Sequence, residues 1–141
     1  MGVSIYATNS EYEFDGGYGG FMCLRENIAK AFDKEFGEHY DNLSKCWRKE
    51  QFDEWDKKAS EILAADRFKD EDQDIIDFLF MPDSDGEISH KTCKKIYDLI
   101  KDIDFKGQTI CYGYKNDGKD YERFKEFLLD CYKRHAKMRW A

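Results

Sequence analysis

Apolar side chains recur at helical spacing along most of this chain and at strand spacing in only three short places. Phe21, Leu24, Ile28, Ala31 and Phe32 share one face of a helix predicted from about Gly20 to Phe36, with Gly37 as its C-terminal cap. Phe52, Trp55, Ala59, Ile62 and Leu63 define a second amphipathic helix. Cys93, Ile96, Tyr97 and Ile100 define a third, which Ser89 can cap. Tyr121, Phe124, Phe127, Leu128, Cys131 and Tyr132 form the stripe of the last, after an Asn116-Asp117-Gly118 turn in which Asp117 is the expected N-cap. Asp72 to Phe80 fits a short helix or a buried strand, and helix is the reading taken; Pro82, the single proline, stops it. Leu43 to Arg48 is ambiguous.

The strand signals are brief. Val3, Ile5 and Ala7 alternate with Ser4, Tyr6 and Thr8, which predicts a strand near 3–8. Ile110, Tyr112 and Tyr114 predict another at 109–114, and 137–140 fits a short terminal strand. Asn9 to Gly20 reads as a loop. The expected fold is α+β: one domain over residues 1–141, with a small sheet flanked by four or five helices.

Composition excludes several classes. A hydrophobic fraction of 41% with 16% aromatics is too apolar for a disordered chain, despite 38% charged residues. The net charge of −7 argues against direct DNA binding. Charge is uneven: seven basic residues face four acidic ones from Lys119 onward, whereas Ala64 to Ser89 holds nine acidic residues and two basic. The five cysteines (23, 46, 93, 111 and 131) contain no Cys-x-x-Cys pair, so free thiols are expected, with Cys23, Cys93 and Cys131 on apolar stripes. No apolar run approaches a membrane span and no signal peptide is recognised, so the expected location is the cytoplasm.

Two turns join glycine to aspartate. Asp15-Gly16-Gly17-Tyr18-Gly19-Gly20 lies between a strand-like segment and a helix, where glycines let a ligand approach the backbone and helix N–H groups attract an anion. Arg25 could add a fork of donors to a phosphate or carboxylate. The order is not Gly-x-Gly-x-x-Gly, because Met22 stands at the third glycine position, and no Gly-Lys-Ser/Thr follows.

Asp83-Ser84-Asp85-Gly86-Glu87 has the look of a partial calcium loop. With Gly86 at loop position six, Met81 and Thr92 fall at positions one and twelve, where oxygen ligands are required. An Asx-type turn before the Ser89 helix fits the residues. Phe78 to Ser89, followed by Cys93, Lys95 and Ile96, resembles a motif of small uncharacterised phage and prophage proteins. There an apolar pair precedes His-Ser-Asp-Cys-Asp-Gly-Glu. Asp83, Asp85, Gly86 and Glu87 match, while Met81 and Ser84 stand at the His and Cys positions. Tyr18 to Arg25 and the basic-aromatic tail resemble the same family. The resemblance implies a phage origin, hence the host cell cytoplasm, and brings no activity with it.

No nucleophile, base and metal fall into a catalytic arrangement; Ser89 and His90 are adjacent, and neighbours on a helix start point apart. The expectation is therefore a binding protein with no catalytic residue, metal or cofactor. Its leading form is a phage accessory or counter-defence protein that sequesters a small anionic ligand such as a signalling nucleotide. Gly17, Tyr18, Gly19, Gly20, Arg25, Asp83, Asp85, Glu87, Arg139 and Trp140 are the expected ligand contacts. One alternative is an acidic inhibitor of a host protein; another is an enzyme with a carboxylate or thiol site.

Overall fold

The sheet is assembled from the two ends of the chain and one turn in its middle. A computed structural model describes residues 2–8, 13–110 and 117–141. Strand β1 (Gly2–Ala7) pairs antiparallel with β2 (Glu13–Gly17) on one side and with β4 (Met138–Trp140) on the other; β3 (Gly86–Ile88) pairs with β4 at the far edge. The order is β2-β1-β4-β3. Two bonds between Ser4 and Ala141, of 2.9 and 3.1 Å, extend the seam between the termini. Alternation decides the faces: Val3, Ile5, Ala7, Ile88, Met138 and Trp140 are buried, whereas Glu87 and Arg139 are exposed on the other side.

Six α-helices lie among the described residues: α1 (Tyr18–Phe32), α2 (Lys34–Asp41), α3 (Lys49–Leu63), α4 (Gln73–Phe80), α5 (His90–Ile100) and α6 (Lys119–Arg134). None is long and apolar enough to cross a membrane. The apolar stripes of α1, α4, α5 and α6 join the inner face of the sheet in one core cluster. Burying such side chains contributes roughly 1.5–3 kcal/mol each. The fold is α+β with a small sheet, as the periodicities require.

Several local expectations are corrected. The helix drawn through Phe36 breaks at Asp33, whose extended backbone (φ −157°, ψ 126°) leaves α1, and whose side chain accepts from Phe36 N at 2.9 Å to cap α2. Gly37 is no cap; it lies inside α2, where a Cβ would come within 2.6 Å of Lys30 N on α1. The close crossing of the two helices requires a hydrogen there. The stretch expected as a loop to Gly20 holds β2, because its glycines pair across to β1, and α1 starts directly at Tyr18. Leu43 to Arg48 contains the end of a 3-10 turn (Asn42–Lys45) that links α2 to the approach of α3.

Thr109 and Ile110 are not in a strand. Both donate to the buried Asp120 carboxylate at the start of α6, Thr109 Oγ1 at 2.6 Å and Ile110 through its backbone N–H, so the backbone there serves a helix end. The rest of the expected 109–114 strand lies outside the described residues. Ser89 caps α5 as expected, accepting from Thr92 N at 3.3 Å. Gly118, at φ 78°, takes the cap position of α6, and Asp117 accepts from Lys119 N at 3.1 Å beside it.

Candidate functional site

Arg25 projects from α1 into the base of a groove of about 560 Å³. α2, the 3-10 turn and α3 form one wall; the end of α4 and residues 81–83 form the other. The volume lies in the range of ordinary small-molecule sites. Tyr40, Phe52, Trp55 and Phe80 make the lining strongly aromatic.

The Arg25 side chain is only 5% exposed. Its Nη2 donates to the carbonyls of Phe78 at 2.5 Å and Met81 at 2.6 Å, at the end of α4. Helix ends leave carbonyls without intrahelical donors, so this guanidinium caps α4 from a distant element. Its carbon stands 5.3 Å from the Phe21 ring centre and 5.4 Å from that of Phe78, within cation–π range. Its Nε is buried with no acceptor. A buried charged donor without a partner is costly. Burial pushes the Arg25 guanidinium below its ordinary pKa, while Tyr40 and Asp83 act in the opposite sense.

The aromatic wall is held rigidly. His39 and Trp55 stack with centroids 4.9 Å apart, and each reaches the other's backbone: His39 Nε2 meets Trp55 O at 2.9 Å, and Trp55 Nε1 donates to His39 O at 2.9 Å. The carbonyl partner requires the proton on His39 Nε2. Tyr40 donates to Leu79 O at 2.8 Å, joining α2 to α4 across the groove. Burial raises the Tyr40 phenol pKa; Arg25 lowers it, and Glu26 and Asp83 raise it further.

The structure disperses most of the expected contacts. Arg25 and Asp83 line this groove together. Gly17 ends β2, and Tyr18, Gly19 and Gly20 form the first turn of α1; Gly20 is not among the residues that line the groove. Gly20 is needed for packing, since a Cβ there would strike the Ile110 carbonyl. Asp85 is exposed outside the lining. Glu87 accepts from Arg139 Nε at 2.9 Å across β3 and β4, with Lys137 at 3.6 Å, so these groups pair with one another on the outer sheet face. Trp140 is 1% exposed and leaves no free ring face for stacking. It packs on Phe21 and Phe78 and lies against Gly86, where a Cβ would sit 2.6 Å from the indole Cε2. Gly86 is therefore a strand glycine that admits an indole.

Sequence reasoning missed Tyr40, Phe52, Trp55, Asp56 and Phe80 as groove residues. Phe52 and Phe80 stay substantially exposed, although Trp55 and Ala59 on α3 and Ile75, Ile76, Phe78 and Leu79 on α4 are buried. A second groove of about 400 Å³ lies between Phe32, Phe68 and Leu99. Its cations are engaged: Arg67 holds Asp33 at 2.8 Å and Glu35 at 2.7 Å, and Lys95 holds Glu71 O at 2.5 Å and Asp74 at 3.1 Å. Among the described residues, no three His, Cys, Asp or Glu side chains gather as metal ligands.

No family model, no curated protein and no solved structure matches this chain.

Proposed function

We propose that this protein binds a small anionic organic ligand, nucleotide-like in character, in the groove above Arg25, without turning it over. The observation that carries the reading is the buried guanidinium whose Nε has no acceptor, set beneath a wall of aromatic rings. A ligand acceptor satisfies the guanidinium, and a planar ring packs against Trp55, Phe52 or Phe80. Joined to the resemblance to phage and prophage proteins, the role is sequestration of a host signalling nucleotide by an accessory or counter-defence protein.

The test is a thermal-shift screen of cyclic and linear nucleotides, followed by calorimetry and chemical recovery of the ligand. A binder present at a hundred times its Kd adds roughly 2.7 kcal/mol to stability. Absence of any shift across the screen removes the reading, and a chemically altered ligand moves the protein into the enzyme class.

A second reading has its own observation. Trp47 is 82% exposed just after the groove residue Cys46, and Phe52 and Phe80 are also exposed. Such a rim suits a protein partner. It shifts the inhibitor alternative away from the acidic stretch, where Asp72 caps Lys69 N at 2.9 Å and Asp74 holds Thr92 and Lys95. Trp47→Ala separates the two: it weakens a protein complex and spares small-ligand binding.

A further inference from the structure

We infer that the groove is selective for ligands with a single negative charge and rejects polyphosphates, an inference that rests on the anion-binding role of Arg25. Among the described residues, Arg25 is the one basic residue in the lining, and the same lining carries two carboxylates, Asp56 on α3 and Asp83 after α4. Asp83 is close enough to Arg25 to act on its ionisation. The guanidinium is almost fully buried and its Nη2 is held by two carbonyls, so it cannot swing outward to follow a chain of phosphates. It offers its remaining donors at one fixed place.

Sites that hold polyphosphates surround the negative charge with several cations or backbone N–H groups. This groove does the reverse. One phosphoryl group on Arg25 neutralises the guanidinium, and any further phosphate meets Asp56 or Asp83. Like charges a few ångströms apart, in a site walled by aromatic rings, repel more strongly than in bulk water. The carboxylates instead accept hydrogen bonds from hydroxyl or amino groups. The ligand class is therefore a ring-bearing phosphodiester with hydroxyl or amino donors, such as a cyclic mononucleotide.

The test measures calorimetric affinities of the intact chain for cyclic AMP, AMP and ADP, which carry progressively more negative charge. Trp55 lines the groove and Trp140 does not, so the change in tryptophan fluorescence on titration in a Trp47→Phe background gives an independent readout. The expected result is binding that weakens about tenfold or more from cyclic AMP to ADP, a step of about 1.4 kcal/mol. The Asp56→Asn, Asp83→Asn double variant keeps acceptor oxygens and narrows that ratio several-fold. Glu54→Gln, on α3 outside the lining, leaves it unchanged. ADP binding as tight as cyclic AMP, or an unaltered ratio in the double variant, overturns the charge rule while leaving the Arg25 reading in place. Failure of all three probes to bind or to change the fluorescence overturns both.

Discussion

Trp140 donates its indole Nε1–H to the carbonyl of Pro82 at 3.0 Å, tying the last strand of the sheet to one wall of the groove. Pro82 and Asp83 line that groove, and Gly86 lies against the same indole. The C-terminal strand therefore supports the candidate site without entering it.

Gly86→Ala places a methyl group where the Trp140 ring now stands. Neither partner can yield easily, because the indole is buried between Phe21 and Phe78. The expected cost is about 1–3 kcal/mol. Urea unfolding monitored by circular dichroism measures it, and ligand affinity falls in parallel as the Pro82–Asp83 segment moves.

Arg25→Met keeps much of the buried stem and removes the cap of α4. The carbonyls of Phe78 and Met81 lose their charged donor. A loss of roughly 3 kcal/mol is expected from hydrogen bonds to a charged group. Arg25→Lys, which keeps the charge and can hold one carbonyl, loses less. Wild-type stability in Arg25→Met would show that α4 does not depend on this contact.

The cysteines separate by burial. Cys93 and Cys131 are buried on α5 and α6, whereas Cys23 is exposed and Cys46 is half-buried at the groove. In a Cys111→Ser background, Ellman's reagent modifies Cys23 and Cys46 in the native protein, and Cys93 and Cys131 only after unfolding. Partial burial, then Glu26 and Asp41, raise the Cys23 thiol pKa. Less thiolate exists at neutral pH, so its reaction is slow there and accelerates as pH rises. Bound ligand protects Cys46 alone.

His90 and His135 stack with centroids 4.5 Å apart where the start of α5 meets the end of α6. Desolvation, then His135 and Lys91, hold the His90 pKa below its ordinary 6.5. The folded state thus binds fewer protons than the unfolded state just below that value. Stability from this group is present above pH 6.5 and declines as pH falls below it. His90→Gln flattens this part of the stability curve, measured by urea titration at successive pH values. An unchanged slope would remove His90 from the account.

Five of the six helices, all but α2, the Ser89 cap and the two terminal strands are legible in the sequence because their causes are local. A stripe such as Phe21, Leu24 and Ile28 requires only helical geometry, and Val3, Ile5 and Ala7 require only the strand period. Arg25 and Asp83 could be selected as charged residues beside apolar helices. Their meeting in one groove could not, because no local rule brings together two residues separated by 57 others.

Tertiary structure decided the rest. It turned the glycines at 20, 37 and 86 from flexible turns into points of close approach, placing a carbonyl, a helix backbone and an indole against them. It buried Trp140 and paired Glu87 with Arg139, removing three expected ligand contacts from the site. It also brought Tyr40, Trp55 and Phe80 around Arg25. The physical reason is common to all of these. Periodicity states which face of an element is apolar, but only packing determines which neighbour that face meets and how much room remains between them.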